Sequence, residues 1–471
     1  MILAETPKYD IAVIGSGPGG YVGAIRAGQL GLKTVLIEKD NKFGGTCLHV
    51  GCIPTKDLLL NADVYDYFKQ AKEYGIECKG YSIDWAAIQA RQNKVVTKLA
   101  KGVEFLLKKN KVEIVQGYAQ LSAPGRITVT DSAKKTREIQ AKNSVLATGS
   151  EARMLPGLEP DAKTILTNKE ILNLKKLPKS LVVIGSGAVG VEFGSIFKRF
   201  GTDVTIIEML PRIVPLEDEE VSATLEKSFK KQGIAVHTQA KVDKVSKTSK
   251  GVTVDFKDAE GRVQKLEAET CLVAVGRAPN TQNIGLEKTR VRLERGFVKV
   301  DPYMRTDEPG VYAIGDIVAG SPLLAHVGSM EGIVAVTHAA GKPAEPINYR
   351  QIPNCTYCEP EIASTGLTEL QAREAGHKVK VGKFPFVGNS KATILGMTEG
   401  FIKIVSDDRY GEILGVHMIG PRVTEMIAEA VVVMRLEGTV EDLERTIHPH
   451  PTLTEAFPEA AHAVHGMAIH I

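Results

Sequence analysis

The sequence predicts an α/β protein: two doubly wound, mostly parallel sheets of one design, followed by a smaller α+β domain. Three observations predict it. An apolar strand running into a glycine-rich turn occurs twice, at Gly15 and at Gly185. Each turn opens a helix and a second strand that closes on an acid. From about Ile352 the pattern changes to separate strands and one apolar-periodic helix.

In the first copy, Tyr9 to Ile14 runs into Gly15-Ser16-Gly17-Pro18-Gly19-Gly20, and the strand after the helix, Thr34 to Ile37, closes on Glu38. In the second, Leu181 to Ile184 runs into Gly185-Ser186-Gly187-Ala188-Val189-Gly190, and Asp203 to Ile207 closes on Glu208. The acid follows the first glycine by 23 residues in both. This is the dinucleotide-binding βαβ design of Rossmann-like domains. The first glycine permits the tight turn and the second lets backbone approach a pyrophosphate. The third lets the helix pack closely, and the acid accepts a ribose hydroxyl.

The copies stay parallel further on. Arg126 to Thr130 and Glu138 to Ala141 precede Ser144-Val145-Leu146-Ala147-Thr148-Gly149-Ser150 in the first. Gly251 to Phe256 and Val263 to Glu267 precede Cys271-Leu272-Val273-Ala274-Val275-Gly276-Arg277 in the second. First to closing glycine spans 134 residues in one copy and 91 in the other, and the extra 43 match an insertion carrying a cysteine pair and the helical stretch Trp85 to Lys108.

That pair lies in Gly44-Gly45-Thr46-Cys47-Leu48-His49-Val50-Gly51-Cys52-Ile53-Pro54-Thr55-Lys56. CxxxxC is not the spacing of common zinc knuckles. Beside a nucleotide turn it reads as a redox relay, with two free buried thiols of a core helix as the alternative. In a straight helix residues five apart have Cα atoms roughly 8–9 Å apart, and a disulfide wants them below about 7 Å. Gly51 must supply a distortion, and the expected bridge is strained and easily reduced.

Beyond the copies, Val311-Tyr312-Ala313-Ile314-Gly315-Asp316 ends a strand on an acid that suits a ligand hydroxyl or a turn equally. Strands are expected around Phe401 to Val405 and Glu412 to Met418, and a helix over Thr424 to Leu436. Pro451 is expected in the first turn of a last helix, with Glu455 just inside it. His450 and Glu455 then meet as a base and its orienting carboxylate.

Composition bounds the function. A net charge of +3 over 471 residues, 24% charged and 43% hydrophobic, offers no electrostatic case for nucleic acid or an anionic membrane. No apolar run approaches the length needed to span a bilayer, and no cleavable signal is read at the start. Six cysteines in such a chain do not make a secreted disulfide framework, so a reducing compartment, the cytoplasm, is expected.

Together these motifs resemble the pyridine nucleotide–disulfide oxidoreductases over essentially the whole length. They are the fingerprint at Gly15, the box Gly45 to Lys56, Ala147-Thr148-Gly149, the second fingerprint with Glu192, Val275-Gly276-Arg277, Gly315-Asp316 and His450-Pro451-Thr452. Glu208 favours NAD over NADP, whose 2′-phosphate calls for basic residues there. Within the family the likeness is greatest to the branch that oxidises dihydrolipoamide. A related NAD(P)H-dependent disulfide or mercuric-type reductase is the alternative, as is a subunit serving mainly to dock onto an acyltransferase core.

The resemblance implies four segments: 1–150, an FAD-binding domain with the redox insertion; 151–280, an NAD-binding domain; 281–350, a central part completing the FAD site; and 351–471, a dimerisation domain. It implies one tightly bound, non-covalent FAD per subunit and NAD as co-substrate. Gly15, Gly17, Gly20, Glu38, Lys39, Gly45, Thr46, Lys56, Gly117, Thr148, Gly149, Ser150, Asp316, Leu324, Ala325 and His326 would hold FAD. Gly185, Gly187, Gly190, Glu192, Glu208, Val242 and Gly276 would hold NAD. Cys47 would meet the substrate, Cys52 the flavin, and Lys56 would sit by the flavin with Glu192 as its ion-pair partner. His450, oriented by Glu455, would be the base and reach across from the partner of a homodimer. Lipoyl domains and the core of 2-oxoacid dehydrogenase complexes, or the lipoylated glycine-cleavage carrier, are the implied partners.

The chain departs from the family pattern in places. His49 stands where Asn is common; tuning of the thiols is one reading of it, and the expected one is that it faces solvent. Thr55 stands for Ser, and Val327-Gly328-Ser329-Met330 replaces a charged run and should alter a helix start. Cys355 and Cys358 form a CxxC with a second redox pair or half of a zinc site as alternatives; no other CxxC completes a zinc site, and they read as ordinary buried thiols. Cys78 and Cys271 read as structural, and no metal is expected.

Overall fold

A computed structural model describes residues 9–471. The described chain divides into two compact units, the first formed by residues up to 57 with 87–153 and 277–347, the second by 58–86, 154–276 and 348–471.

The first unit is organised by a sheet whose parallel strands run in the order Glu113–Gln116, Thr34–Glu38, Tyr9–Ile14, Thr136–Leu146, Val311–Ala313. Ile14 is in register with both Ile37 and Leu146. Such strands are covered on both faces, and they are accordingly near-continuous apolar runs. Every residue of Thr34–Glu38 is buried, the acid included. One difference from the expected elements concerns the fourth strand. The two segments expected around Glu138 and Ser144 are one strand of 11 residues. Its first half pairs antiparallel with Arg126–Thr130 and its second half parallel with Tyr9–Ile14, so one backbone serves two layers.

Two helices cover that sheet by close backbone approach. A Cβ on Gly19 of the helix Pro18–Gln29 would lie 2.7 Å from the carbonyl of Gly328, and one on Gly332 would lie 2.5 Å from that of Gly19. The second of these helices, Ala325–Ala339, starts directly after Leu324. Small residues at 328 and 332 thus set the distance between the helices.

In the second unit five parallel strands run Ala235–His237, Asp203–Ile207, Ser180–Ile184, Thr270–Val273, Ile165–Leu166. Here the antiparallel segment Val263–Ala268 stays separate from Thr270–Val273. The remaining layer is a five-stranded antiparallel sheet, Asn354–Thr356, Glu361–Gly366, Ile413–Gly420, Phe401–Asp407, Val379–Pro385. Phe384, Ile402, Ile404, Val416 and Met418 pack there against Met426, Ile427 and Ala430 of the helix Val423–Arg435 and Phe457, Ala460 and Ala461 of the helix Ala456–Val464.

That last helix corrects an expectation. It begins at Ala456, not at Pro451, and Glu455 is its N-cap residue rather than a residue inside it. The backbone N–H of Thr452 and the ring of His450 both turn to the Glu455 carboxylate, which folds residues 446–455 into a loop.

Candidate functional site

The two glycine turns have the same geometry residue for residue. Gly15 and Gly185 have φ of +103° and +97°, and their N–H groups donate to Ile37 and Ile207 at 2.8 and 2.9 Å. A Cβ on either would lie 2.3 or 2.4 Å from the carbonyl of Ala147 or Ala274. A Cβ on Gly20 or Gly190 would strike the carbonyl of Gly15 or Gly185, at 1.9 and 2.0 Å. At the middle glycine the situation reverses. A Cβ on Gly17 or Gly187 would meet nothing within 4 Å, and neither helix start has a side-chain cap. Two helices thus present bare N–H groups over open space, the arrangement that receives a phosphate.

The acids repeat as well. Ser16 donates its N–H and its hydroxyl to Glu38 Oε2, at 2.7 and 2.6 Å, and Asp40 N–H donates to Oε1 at 3.0 Å. Ser186 does the same to Glu208 Oε2, at 2.8 and 2.7 Å, with Leu210 N–H on Oε1 at 2.8 Å. Both carboxylates are buried, and each keeps lone pairs for one more donor such as a ribose hydroxyl. Lys39 beside Glu38 is exposed.

The cysteine element docks on the first turn. Gly44 N–H donates to the carbonyl of Ser16 at 3.0 Å, and a Cβ on Gly45 would lie 2.6 Å from the Cα of Gly17. Cys47 lies in the helix Gly45–Val50, and Cys52 opens the next, Cys52–Lys69. Gly51 stands between them at φ −141°, ψ −119°, the distortion the spacing demanded. The cysteines are free thiols, both half-buried, and their side chains are hydrogen-bonded to each other. The bond to Cys52 and then burial hold the Cys47 thiol well above the usual thiol range, while the charge of Lys56 opposes them. His49 is half-buried. Its Nε2 lies 2.8 Å from the carbonyl of Phe43, pinning the preceding loop. Thr55 donates its hydroxyl to the Gly51 carbonyl at 2.7 Å, so it braces the break.

Around the end of the sheet, Thr148, Gly149, Ser150 and Asp316 come together with two residues not picked out as ligands. Asn280 accepts from the Thr148 hydroxyl at 2.7 Å and donates its amide to the Thr148 carbonyl at 3.0 Å. Ser150 donates to Asp316 and receives Arg277 Nε at 2.6 Å, with the guanidinium also on the Ser150 carbonyl. Asp316 is in a short turn, Gly315–Ile317, after the strand has ended at Ala313. Glu331, fully buried on the helix that Leu324, Ala325 and His326 begin, receives the N–H of Gly315 at 2.5 Å. The only sequence signal for it was an acid in an otherwise apolar helix. Gly117, at φ +151°, donates its N–H to the Glu38 carbonyl at 2.8 Å.

In the second unit, Glu192 is buried on the helix Ala188–Arg199 and accepts the N–H of Tyr357 at 3.0 Å. Glu359 N–H reaches Ser195 on the same helix at 3.2 Å. Val242 packs beside the apolar core next to a register shift in its strand. Gly276, at φ +108°, has open space where a Cβ would go. His450 and Glu455 do meet: Nδ1 is 2.9 Å from Oε1, and the other carboxylate oxygen takes Thr452 N–H at 2.8 Å. The imidazole is mostly exposed. Burial opposes ionisation of Glu455, but these two hydrogen bonds outweigh it and hold the carboxyl below its ordinary range.

Cys358 is buried with its thiol on the Pro360 carbonyl, and burial first, then Glu192, pushes it well up. Cys271 is buried and pushed up to about 12 by burial alone. Cys78, by contrast, is exposed and not a structural thiol. Among the described residues no group of three or more His, Cys, Asp and Glu is placed to hold a metal ion. No described helix is long and apolar enough to cross a membrane.

Two glycine turns with open helix starts, a cysteine pair seated on one of them and an imidazole–carboxylate pair are the parts of a class: proteins that relay electrons between a thiol substrate and nucleotide cofactors. Comparison with known proteins names the family. Residues 9–332 match the model of pyridine nucleotide-disulphide oxidoreductases, and residues 352–461 match that family's dimerisation domain. Dihydrolipoyl dehydrogenases from Bacillus subtilis and Rhizobium etli are 46% and 45% identical, over 98% of this chain and 99% of theirs. A crystal structure of LpdA from Mycobacterium tuberculosis superposes with a TM-score of 0.88 at 30% identity, covering 96% of this chain and 98% of that one. The chain belongs to the pyridine nucleotide-disulphide oxidoreductases.

Proposed function

We propose that this chain is a dihydrolipoyl dehydrogenase: it oxidises protein-bound dihydrolipoamide to lipoamide, with NAD+ as the final acceptor. The observation that carries the reading is the Cys47–Cys52 pair, broken at Gly51 and seated on the Ser16–Gly17 turn. The dihydrolipoyl dehydrogenases that match it from end to end support it.

The residues at the first turn fit FAD, with the bare N–H groups after Gly17 toward its pyrophosphate and Glu38 toward its ribose. Those after Gly187, with Glu208, fit NAD in the same way. FAD bound there would take the electron pair from the cysteines and pass it on as hydride to NAD+. The chain's own groups do the thiol chemistry. A substrate thiol is only a few per cent thiolate at neutral pH, and the thiolate is the nucleophile. His450, held through Nδ1 by Glu455, takes that proton on its other nitrogen. The thiolate attacks Cys47 of the oxidised pair and releases Cys52 as thiolate. The second substrate thiol then displaces Cys47, leaving lipoamide and a reduced pair. Lys56, already lowering the cost of negative charge at Cys47, would stabilise the anionic state.

The assignments of Lys56 with Glu192 as an ion pair, of His450 to the partner's site in a homodimer, and of a cytoplasmic setting belong to the same proposal. So do the four segments ending at 150, 280, 350 and 471, and service to 2-oxoacid dehydrogenase or glycine-cleavage systems. The test is NAD-dependent oxidation of dihydrolipoamide by the purified protein beside Cys47→Ser. Turnover that vanishes in the variant supports the reading. A protein that oxidises NADH but ignores dihydrolipoamide would point to a disulfide reductase of another specificity.

A further inference from the structure

The loop that carries His450 springs from two short helices, Val440–Arg445 and Ala456–Val464. Their facing sides hold a cluster that the proposed chemistry does not use. His462 Nδ1 and His465 Nε2 each lie 3.6 Å from Glu444 Oε1, and His465 Nε2 lies 3.6 Å from Glu441 Oε1. These separations are longer than hydrogen bonds. Glu444 Oε1 is buried and has no hydrogen-bond partner. A buried carboxylate oxygen left bare is costly, and a positive charge on either imidazole would relieve it. The loop is tied a second time, by His448, whose two ring nitrogens reach the Thr446 carbonyl at 2.9 Å and Glu429 at 2.6 Å.

We propose that Glu444, with His462 and His465, is a positioning device that fixes the His450 loop and tightens as the two imidazoles take up protons. The proposal rests on His450 acting as the base. The other charged groups nearby are paired among themselves or bear on Glu441 alone, and on the last helix Glu459 holds His470, Oε1 to Nδ1 at 2.7 Å. Arg445 and Thr439 bear on Glu441, and the lysines of the strands that pack against the last helix, Lys380, Lys383 and Lys403, are paired with Asp408, Glu220, Asp218 and Glu369. No proton crosses from this cluster to the substrate. It acts only through the stiffness of the helix pair, so its influence should appear where His450 is needed and nowhere else.

The test uses Glu444→Gln, which keeps shape and removes charge, and the double variant His462→Ala/His465→Ala, all in the full-length holoenzyme. Dihydrolipoamide oxidation is measured from pH 6 to pH 8, beside NADH-driven bleaching of the flavin, a half-reaction that needs no thiol base. Relative to the unmodified protein, kcat of Glu444→Gln should be about three- to fivefold lower at pH 6 and nearly equal at pH 8, the scale of one ion pair. Flavin bleaching should not change. Combining the variants should add nothing further, as residues of one unit do not add. A kcat ratio flat with pH, or an equal loss in both half-reactions with a lowered Tm, would overturn the proposal and leave the cluster a structural brace. The unmodified protein's own turnover, lost in Cys47→Ser, separates this outcome from failure of the functional reading.

Discussion

Glu455 performs two tasks with one carboxylate: it closes the loop through Thr452 N–H and fixes the ring of His450 through Nδ1. Glu455→Gln keeps the first and weakens the second. Turnover of dihydrolipoamide should fall about 10- to 100-fold, part of the roughly 10²–10⁴ that a positioned base supplies. The KM for NAD should be unmoved, since no nucleotide ligand is touched. The pH behaviour has a definite sign. The folded-state pKa of Glu455 is depressed, so its contribution to stability is fully present above the unfolded carboxyl value of about 4.3 and is lost as pH falls through the folded one. A decline in turnover between pH 5 and pH 7 is therefore not the titration of this acid. The cysteines separate in the same physical terms. Cys78 is exposed, whereas Cys271 is buried and its thiol stays protonated at any ordinary pH. Brief alkylation of the native protein, followed by mass spectrometry, should label Cys78 and spare Cys271.

At the scale of elements, the three glycines of each turn differ in what they tolerate. Gly15→Ala forces a Cβ to 2.3 Å from a carbonyl oxygen at a φ of +103°, and should cost about 2–5 kcal/mol in urea unfolding. Gly187→Ala meets no atom and has an ordinary φ of −67°, so stability should hold. What it fills is the space proposed for NAD, and the KM for NAD should rise by about tenfold, the worth of one charge-assisted hydrogen bond. These turns were legible because everything they need is local: a strand, three glycines and an acid within one βαβ unit. Asn280 and Glu331 were not. Asn280 matters because it holds Thr148, 132 residues away, and Glu331 because it holds Gly315 in another turn. Pro451 has the local marks of a first helical turn, but the fold-back of His450 and Thr452 onto Glu455 delays the start of the last helix to Ala456.

For the molecule as a whole, the second unit's most consequential buried charge is Lys403. It is almost fully enclosed, with both oxygens of Asp218 at 3.1 Å and Glu220 and Glu369 at 2.9 Å. It joins the segment after Glu208 to the C-terminal sheet. Lys403→Ala should destabilise by about 3–5 kcal/mol, because Asp218 stays buried without its counter-charge. The chemical midpoint in denaturant is the measure. Nothing local in the sequence marks that lysine; it sits in an apolar strand and finds Asp218 185 residues earlier. What the sequence did make plain was the repeat, since strand, turn, helix and acid recur at equal spacing. The repeat has a use of its own. Ser16 and Ser186 hold their acids with the same two bonds, so each is the other's control inside one molecule. With FAD and NAD at the two turns as proposed, Ser16→Ala should weaken retention of the flavin, and Ser186→Ala should spare the flavin and weaken NAD binding. Any effect common to both is then the price of losing a hydroxyl, and the remainder belongs to the chemistry of one half.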